Sequence, residues 1–150
     1  MSANNSVSLH RVLKAAPEKV FKAFTEARYM AAWFPPYGFT CTIEKLDAVK
    51  GGSYRMIFHN FTTDSSQSFG GEFLELDAPA LIKISDRFDN PDLPGEMTTT
   101  IKLDRVSVGT SLGIVQEGIP AMIPVESCYL GWQECLEKLA KLVEPVIEEG

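Results

Sequence analysis

Few residues in this 150-residue chain stand in company that suggests chemistry. Its two imidazoles, His10 and His59, lie in alternating stretches whose partners are polar or mixed, the setting of surface or edge histidines rather than of a base. No serine or cysteine sits in a recognisable nucleophile context, so a triad lacks its first member. Cys41, Cys128 and Cys135 form no CxxC pair. Cys128 and Cys135 lie about 10 Å apart along a helix, too far to bridge. All three read as buried fillers, and an odd, sparse count fits a reducing cytoplasm. No HExxH, HxH or cysteine cluster offers ligands to a metal. Gly51-Gly52 and Gly70-Gly71 precede no helix, so neither pair can cradle a phosphate; they read as a turn and a bulge or close backbone approach. The sequence names no catalytic residue, no metal site and no cofactor.

One carboxylate stands apart. Asp86 shares strand parity with Ile82, Ile84 and Phe88, which would aim it at the apolar side. There it would have a raised pKa, pair with an arginine or bind a polar group of a ligand. If the strand twists or ends early, Asp86 instead lies in water beside Arg87. Glu72, Glu75 and Glu96 have the pattern of solvated sheet charges, with Arg55 an ion-pair partner for one of them.

The elements that must position these groups are legible from periodicity. From Val125 to about Val143, apolar residues recur at Cys128 and Tyr129, Trp132, Cys135 and Leu136, Leu139, Leu142 and Val143, the stripe of one helix face. Pro124 suits the first helical position and Pro145 the stop. Upstream, Val7 to Val12 alternates as a strand. Pro17 opens a short helix, a second runs Arg28 to Trp33, and Pro35-Pro36 ends it with Trp33 and Phe34 at the tip. Six period-two stretches follow: Phe39 to Leu46, Ser53 to Phe61, Ser68 to Leu76, Leu81 to Phe88, Met97 to Val106 and Thr110 to Gln116. Segregated helices with consecutive strands predict an α+β fold, a curved antiparallel sheet of six to seven strands gripping the terminal helix, as a single domain over 1–150.

Net charge of −6 opposes binding to nucleic acid or anionic lipid. No apolar run reaches the ~20 residues that span a bilayer, and the polar start of the chain shows no signal peptide.

A half-open sheet can splay from its helix at one end and leave a hollow lined by aromatics, the usual form of a small-molecule site. The candidate lining is Trp33, Phe34, Tyr54, Met56, Phe58, Phe73, Asp86 and Phe88, with Tyr129, Trp132 and Leu136 from the helix. Taken singly, each reads as core, and as a set they favour a cavity only because the architecture does.

Ala16-Pro17, Val20-Phe21, Ala23-Phe24-Thr25 and Trp33-Phe34-Pro35 resemble the opening of proteins homologous to the activator of the heat-shock-protein-90 ATPase. Gly51-Gly52-Ser53-Tyr54-Arg55, Gly71 to Asp77, Thr110-Ser111-Leu112 and Gly131-Trp132-Gln133-Glu134-Cys135-Leu136 resemble their later motifs in order and spacing, so the likeness runs from Val7 to Val143. The resemblance implies the helix-grip fold of the START-like (SRPBCC) superfamily, with a hydrophobic cavity between sheet and long helix. It implies no defined chemistry, since that superfamily holds carriers, sensors, co-chaperone domains and a few enzymes. Where many members carry an aromatic, this chain has Ser85-Asp86-Arg87, and the separate chaperone-binding domain of the eukaryotic activators has no counterpart within it, which counts against a chaperone partner. The expected function is to bind a small hydrophobic or amphipathic molecule. The rivals are a cyclase or dehydratase using Asp86 or His59, and a chaperone cofactor or protein-interaction module presenting Trp33; a homodimer stays open.

Overall fold

The computed structural model describes residues 5–148. The reading of the N-terminal stretch as free of a signal peptide falls partly on residues 1–4, outside the described part.

Period-two stretches form seven strands: β1 (Ser6–Leu13), β2 (Phe39–Leu46), β3 (Ser53–Asn60), β4 (Ser66–Asp77), β5 (Leu81–Phe88), β6 (Met97–Val106) and β7 (Gly109–Glu117). Helices α1 (Pro17–Thr25) and α2 (Ala27–Trp33) follow β1, and α3 (Val125–Val143) follows β7. The strands make one antiparallel sheet in the order β1-β7-β6-β5-β4-β3-β2. From β2 to β7 each strand pairs with the next in sequence, while β1 closes on β7, Ser6 opposite Glu117. The pair α1–α2 carries the chain from one sheet edge to the other. This is the helix-grip architecture.

Alternation decides which face is buried. In β6, Met97, Thr99, Ile101 and Leu103 point inward, and in β7 Thr110, Leu112, Ile114 and Gln116 do. The helix buries Trp132, Cys135, Leu136, Leu139, Ala140 and Val143 against them. Pro124 differs from expectation by one position: its backbone is extended (ψ 132°), and the helix opens at Val125. No helix among the described residues is long and apolar enough to cross a membrane.

The glycine pair in β4 answers to close approach rather than to a bulge. A Cβ on Gly71 would sit 1.9 Å from the Ser85 carbonyl oxygen, and one on Gly70 2.5 Å from that of Tyr54. The register slip of β4 against β5 falls further on, between Phe73 and Glu75. Since the obstruction at Gly71 is backbone rather than a movable side chain, Gly71→Ala is expected to lower stability by about 2–3 kcal/mol, read as a fall in the urea midpoint. An unchanged midpoint would mean that β4 and β5 can part at no cost.

A candidate ligand hollow beneath the third helix

The contact between sheet and helix is solid at one end and hollow at the other. At the packed end Tyr54, Met56, Phe73, Ile82 and Ile101 close around a gap of about 20 Å³, room for about one water. At the other end a hollow of about 230 Å³ opens to solvent. Each contributing strand reaches it from the same edge: Phe39 of β2, Phe58 of β3, Gln67 and Phe69 of β4, Asp86 and Phe88 of β5, Met97 of β6 and Gln116 of β7. Phe34 and Pro36 close one side, and Cys128, Gly131, Trp132 and Cys135 of α3 form the roof.

Two sequence features explain why space remains. Gly131 stands mid-helix, where glycine costs about 1 kcal/mol against alanine, and a Cβ there would meet nothing within 4 Å. The helix thus carries a bare patch where it roofs the hollow. The loop after α2 is also tied to α3 rather than folded into the gap: the Cys135 thiol donates to the Phe34 carbonyl at 2.8 Å, and Lys138 Nζ to the Pro35 carbonyl at 2.7 Å.

The walls are rings in edge-to-face contact. Phe34 meets Phe58 and Trp132, both at 5.8 Å between centroids, and Phe58 meets Phe69 at 4.8 Å. The Trp132 indole N–H donates to Gln116 Oε1 at 3.1 Å, so the roof is pinned to β7 by a buried hydrogen bond.

Among the described residues, Asp86 is the one carboxylate of this wall. The residue is 9% exposed, and its Oδ1 is buried without a hydrogen-bond partner. Strand parity holds to the end of β5, so the alternative of a solvated Asp86 beside Arg87 is overturned. Arg87 points outward instead and meets Glu96 at 3.4 Å. Burial pushes the Asp86 carboxyl up to about 7, against the pull of the Tyr54 hydroxyl and the Arg87 backbone. Tyr54 donates its own proton to the Ser85 carbonyl at 2.9 Å; its burial and the nearby Asp86 raise its pKa. Burial likewise raises the Cys128 thiol, and pushes that of Cys135 up to about 12, so both stay neutral near pH 7.

Of the residues expected to line a cavity, Phe34, Phe58, Asp86, Phe88 and Trp132 come together here. Tyr54, Met56 and Phe73 line the packed end instead. Leu136 is core. Trp33 is fully buried rather than at an exposed tip, with its indole N–H donated to the Ala23 carbonyl at 2.8 Å. Tyr129, expected on the inner stripe, is 42% exposed and lies beside His10 and Arg11 of β1. It stands on the flank of the helix toward β1 rather than over the hollow. Sequence reasoning passed over Phe39, Phe69, Met97, Gln116 and Gly131. For Gln116 a signal existed: it is a polar residue on the inward parity of Leu112 and Ile114.

The other chemistry candidates lie elsewhere. His59 is tied at the surface, Nε2 to Asp64 at 2.9 Å and Nδ1 to Ser66 at 2.8 Å. His10 bonds Ser111 on the exposed side. Arg55 pairs with Asp89 and Glu44, not with Glu72, Glu75 or Glu96.

Comparison with known proteins agrees with this architecture. A protein of known crystal structure from Chromobacterium violaceum is 51% identical, superposes with a TM-score of 0.94, and the match covers 95% of this chain and 99% of that one. A Rhodobacter sphaeroides protein shares the fold at 19% identity and a TM-score of 0.81, with 95% of each chain covered. A solution structure described as an AHSA1-like protein, from Aeromonas hydrophila, does so at 18% identity and 0.77, covering 93% of this chain and 92% of that one. No curated protein matches. The family model described as "Activator of Hsp90 ATPase homolog 1-like protein" matches residues 14–144, nearly the whole length, and to that family the chain belongs.

Proposed function

We infer that this protein binds a small apolar or amphipathic molecule in the hollow between α3 and the sheet. The observation that carries this reading is the mid-helix glycine over a ring-lined space, Gly131 in the roof beside Trp132 and across from Phe34 and Phe58. A helix that only sealed a core would fill that position and gain about 1 kcal/mol of helix propensity. Apolar walls with a few inward polar groups are the ordinary form of a small-molecule site. The three cysteines, all free thiols, support a reducing compartment such as the cytoplasm.

The test is a blocked variant. A panel of hydrophobic fluorescent probes should bind the wild-type protein saturably, and Gly131→Phe should weaken that binding by about tenfold or more with the thermal midpoint held or raised. Equal binding by both proteins would place the probes elsewhere and remove the reading.

A second reading rests on Asp86 alone. An acid that titrates near neutrality in an apolar hollow suits general acid–base work, as in a cyclase or dehydratase. It requires turnover of β-keto or β-hydroxy thioesters above the buffer rate, lost in Asp86→Ala. Turnover that survives that substitution removes Asp86 from the chemistry.

A further inference from the structure

Asp86 is an acid without a counter-charge. Among the described residues no lysine, arginine or histidine lines the hollow, and the guanidinium nearest in sequence, that of Arg87, is turned outward to Glu96. The other titratable groups around it are the Tyr54 hydroxyl from β3 and the Cys128 and Cys135 thiols from α3; the loop after α2 and strands β2, β4, β6 and β7 line the hollow only with apolar side chains and the amides of Gln67 and Gln116. A buried carboxylate is ordinarily retained with a cation or a set of donors, because an uncompensated one costs several kcal/mol. Here Oδ1 has neither. The surrounding surface is a set of aromatic rings, whose faces attract positive charge.

We propose that the hollow takes a small hydrophobic amine as its ammonium ion, the apolar body among the rings and the charged nitrogen on the Asp86 carboxylate. The proposal rests on the binding reading above and names the class of ligand. Size agrees: a dry cavity of about 150 Å³ holds a benzene ring, so about 230 Å³ admits one or two rings with a short amine arm. Phe34, Phe58 and Trp132 supply faces for the body, and the ammonium supplies the counter-charge that the Asp86 carboxylate lacks. The charges then match only in part of the pH range. An alkylamine stays protonated to about pH 10, as lysine does. Asp86 takes up its proton as pH falls through about 7, so amine affinity should decline below that point toward about tenfold per pH unit.

The experiment compares three probes of nearly equal size by calorimetric titration: phenethylamine, phenethyl alcohol and propylbenzene. At about pH 8, wild-type protein should bind the amine about tenfold or more tightly than propylbenzene. That advantage should vanish in Asp86→Asn, and in the wild-type protein at about pH 5.5, a control that needs no variant to fold. If propylbenzene binds as well as the amine, the hollow sorts by apolar burial alone; the amine proposal falls and the binding reading stands. If phenethyl alcohol binds best, the ligand is a neutral donor and the amine proposal falls. If none of the three binds and Gly131→Phe changes no probe, both fall together.

Discussion

Asp86→Asn is expected to make the protein more stable above pH 7, by about 2–4 kcal/mol, and to flatten its stability between about pH 4 and 7. The carboxyl titrates near 3.8 in an unfolded chain and at about 7 in the folded one. Between those values the folded state holds a proton that the unfolded state has lost. Stability therefore falls as pH rises through this window, and the full cost is present above about 7. At about 1.4 kcal/mol per pH unit that cost is about 4 kcal/mol. Below about pH 4 both states are protonated and the cost disappears. Asparagine keeps the shape without the charge, and its own burial as an amide gives back part of the gain. For a chain of this length the difference amounts to about 10 °C in thermal midpoint at pH 8. Unfolding midpoints at about pH 4.5, 6 and 8 would check it; a wild-type protein equally stable at all three would show that Asp86 is solvated.

Trp33→Ala is expected to lower stability by about 3–5 kcal/mol, comparable with the whole margin of some domains. The side chain is fully buried, its ring packs edge-on against Phe24 at 4.7 Å and Phe34 at 5.4 Å, and its N–H satisfies the Ala23 carbonyl. Removing it leaves a cavity and an unpaired carbonyl between α1 and α2. Trp33→Phe should restore much of the packing and lose about 1–2 kcal/mol for the unpaired carbonyl. Phe34→Ala should show the reverse balance, with a smaller loss of stability and a larger loss of probe binding, because Phe34 faces the hollow. Chemical denaturation and probe titration on the same three variants separate these roles. If Trp33→Ala kept its stability and lost the probe, Trp33 would belong to the ligand wall after all.

How far the sequence carries is visible in these two residues. Strict alternation brought Asp86 to the inner face because β5 keeps its parity to Phe88, and the same rule would have found Gln116. Trp33 could not be placed so. It ends a helix of seven residues, and nothing in so short a period says which way its last side chain turns. That direction is set by the turn at Glu26 and by the Ala23 carbonyl, a contact between elements. The strand limits were legible because glycine, proline and polar clusters bracket them, and α3 because its stripe is long. Which end of the sheet stands away from the helix was not, since it depends on one absent side chain at Gly131 and on the ties that hold the loop at Phe34 to α3. A glycine on the inner flank of an otherwise well-formed helix was the signal available.

The strand order also bears on how the chain reaches this form. Hairpins from β2 to β7 can zip up from near neighbours, each closing a short loop, but β1 must wait for a partner made at the far end of the chain, with Leu13 opposite Thr110. The edge of β7 from Thr110 to Glu117 is therefore left bare until the last moment. Pulse-labelled exchange during refolding should show β3 to β6 protected first and β1 last. Slowing that final step, through Val7 or Leu13, would prolong a species with an open strand edge and should favour aggregation over the native fold.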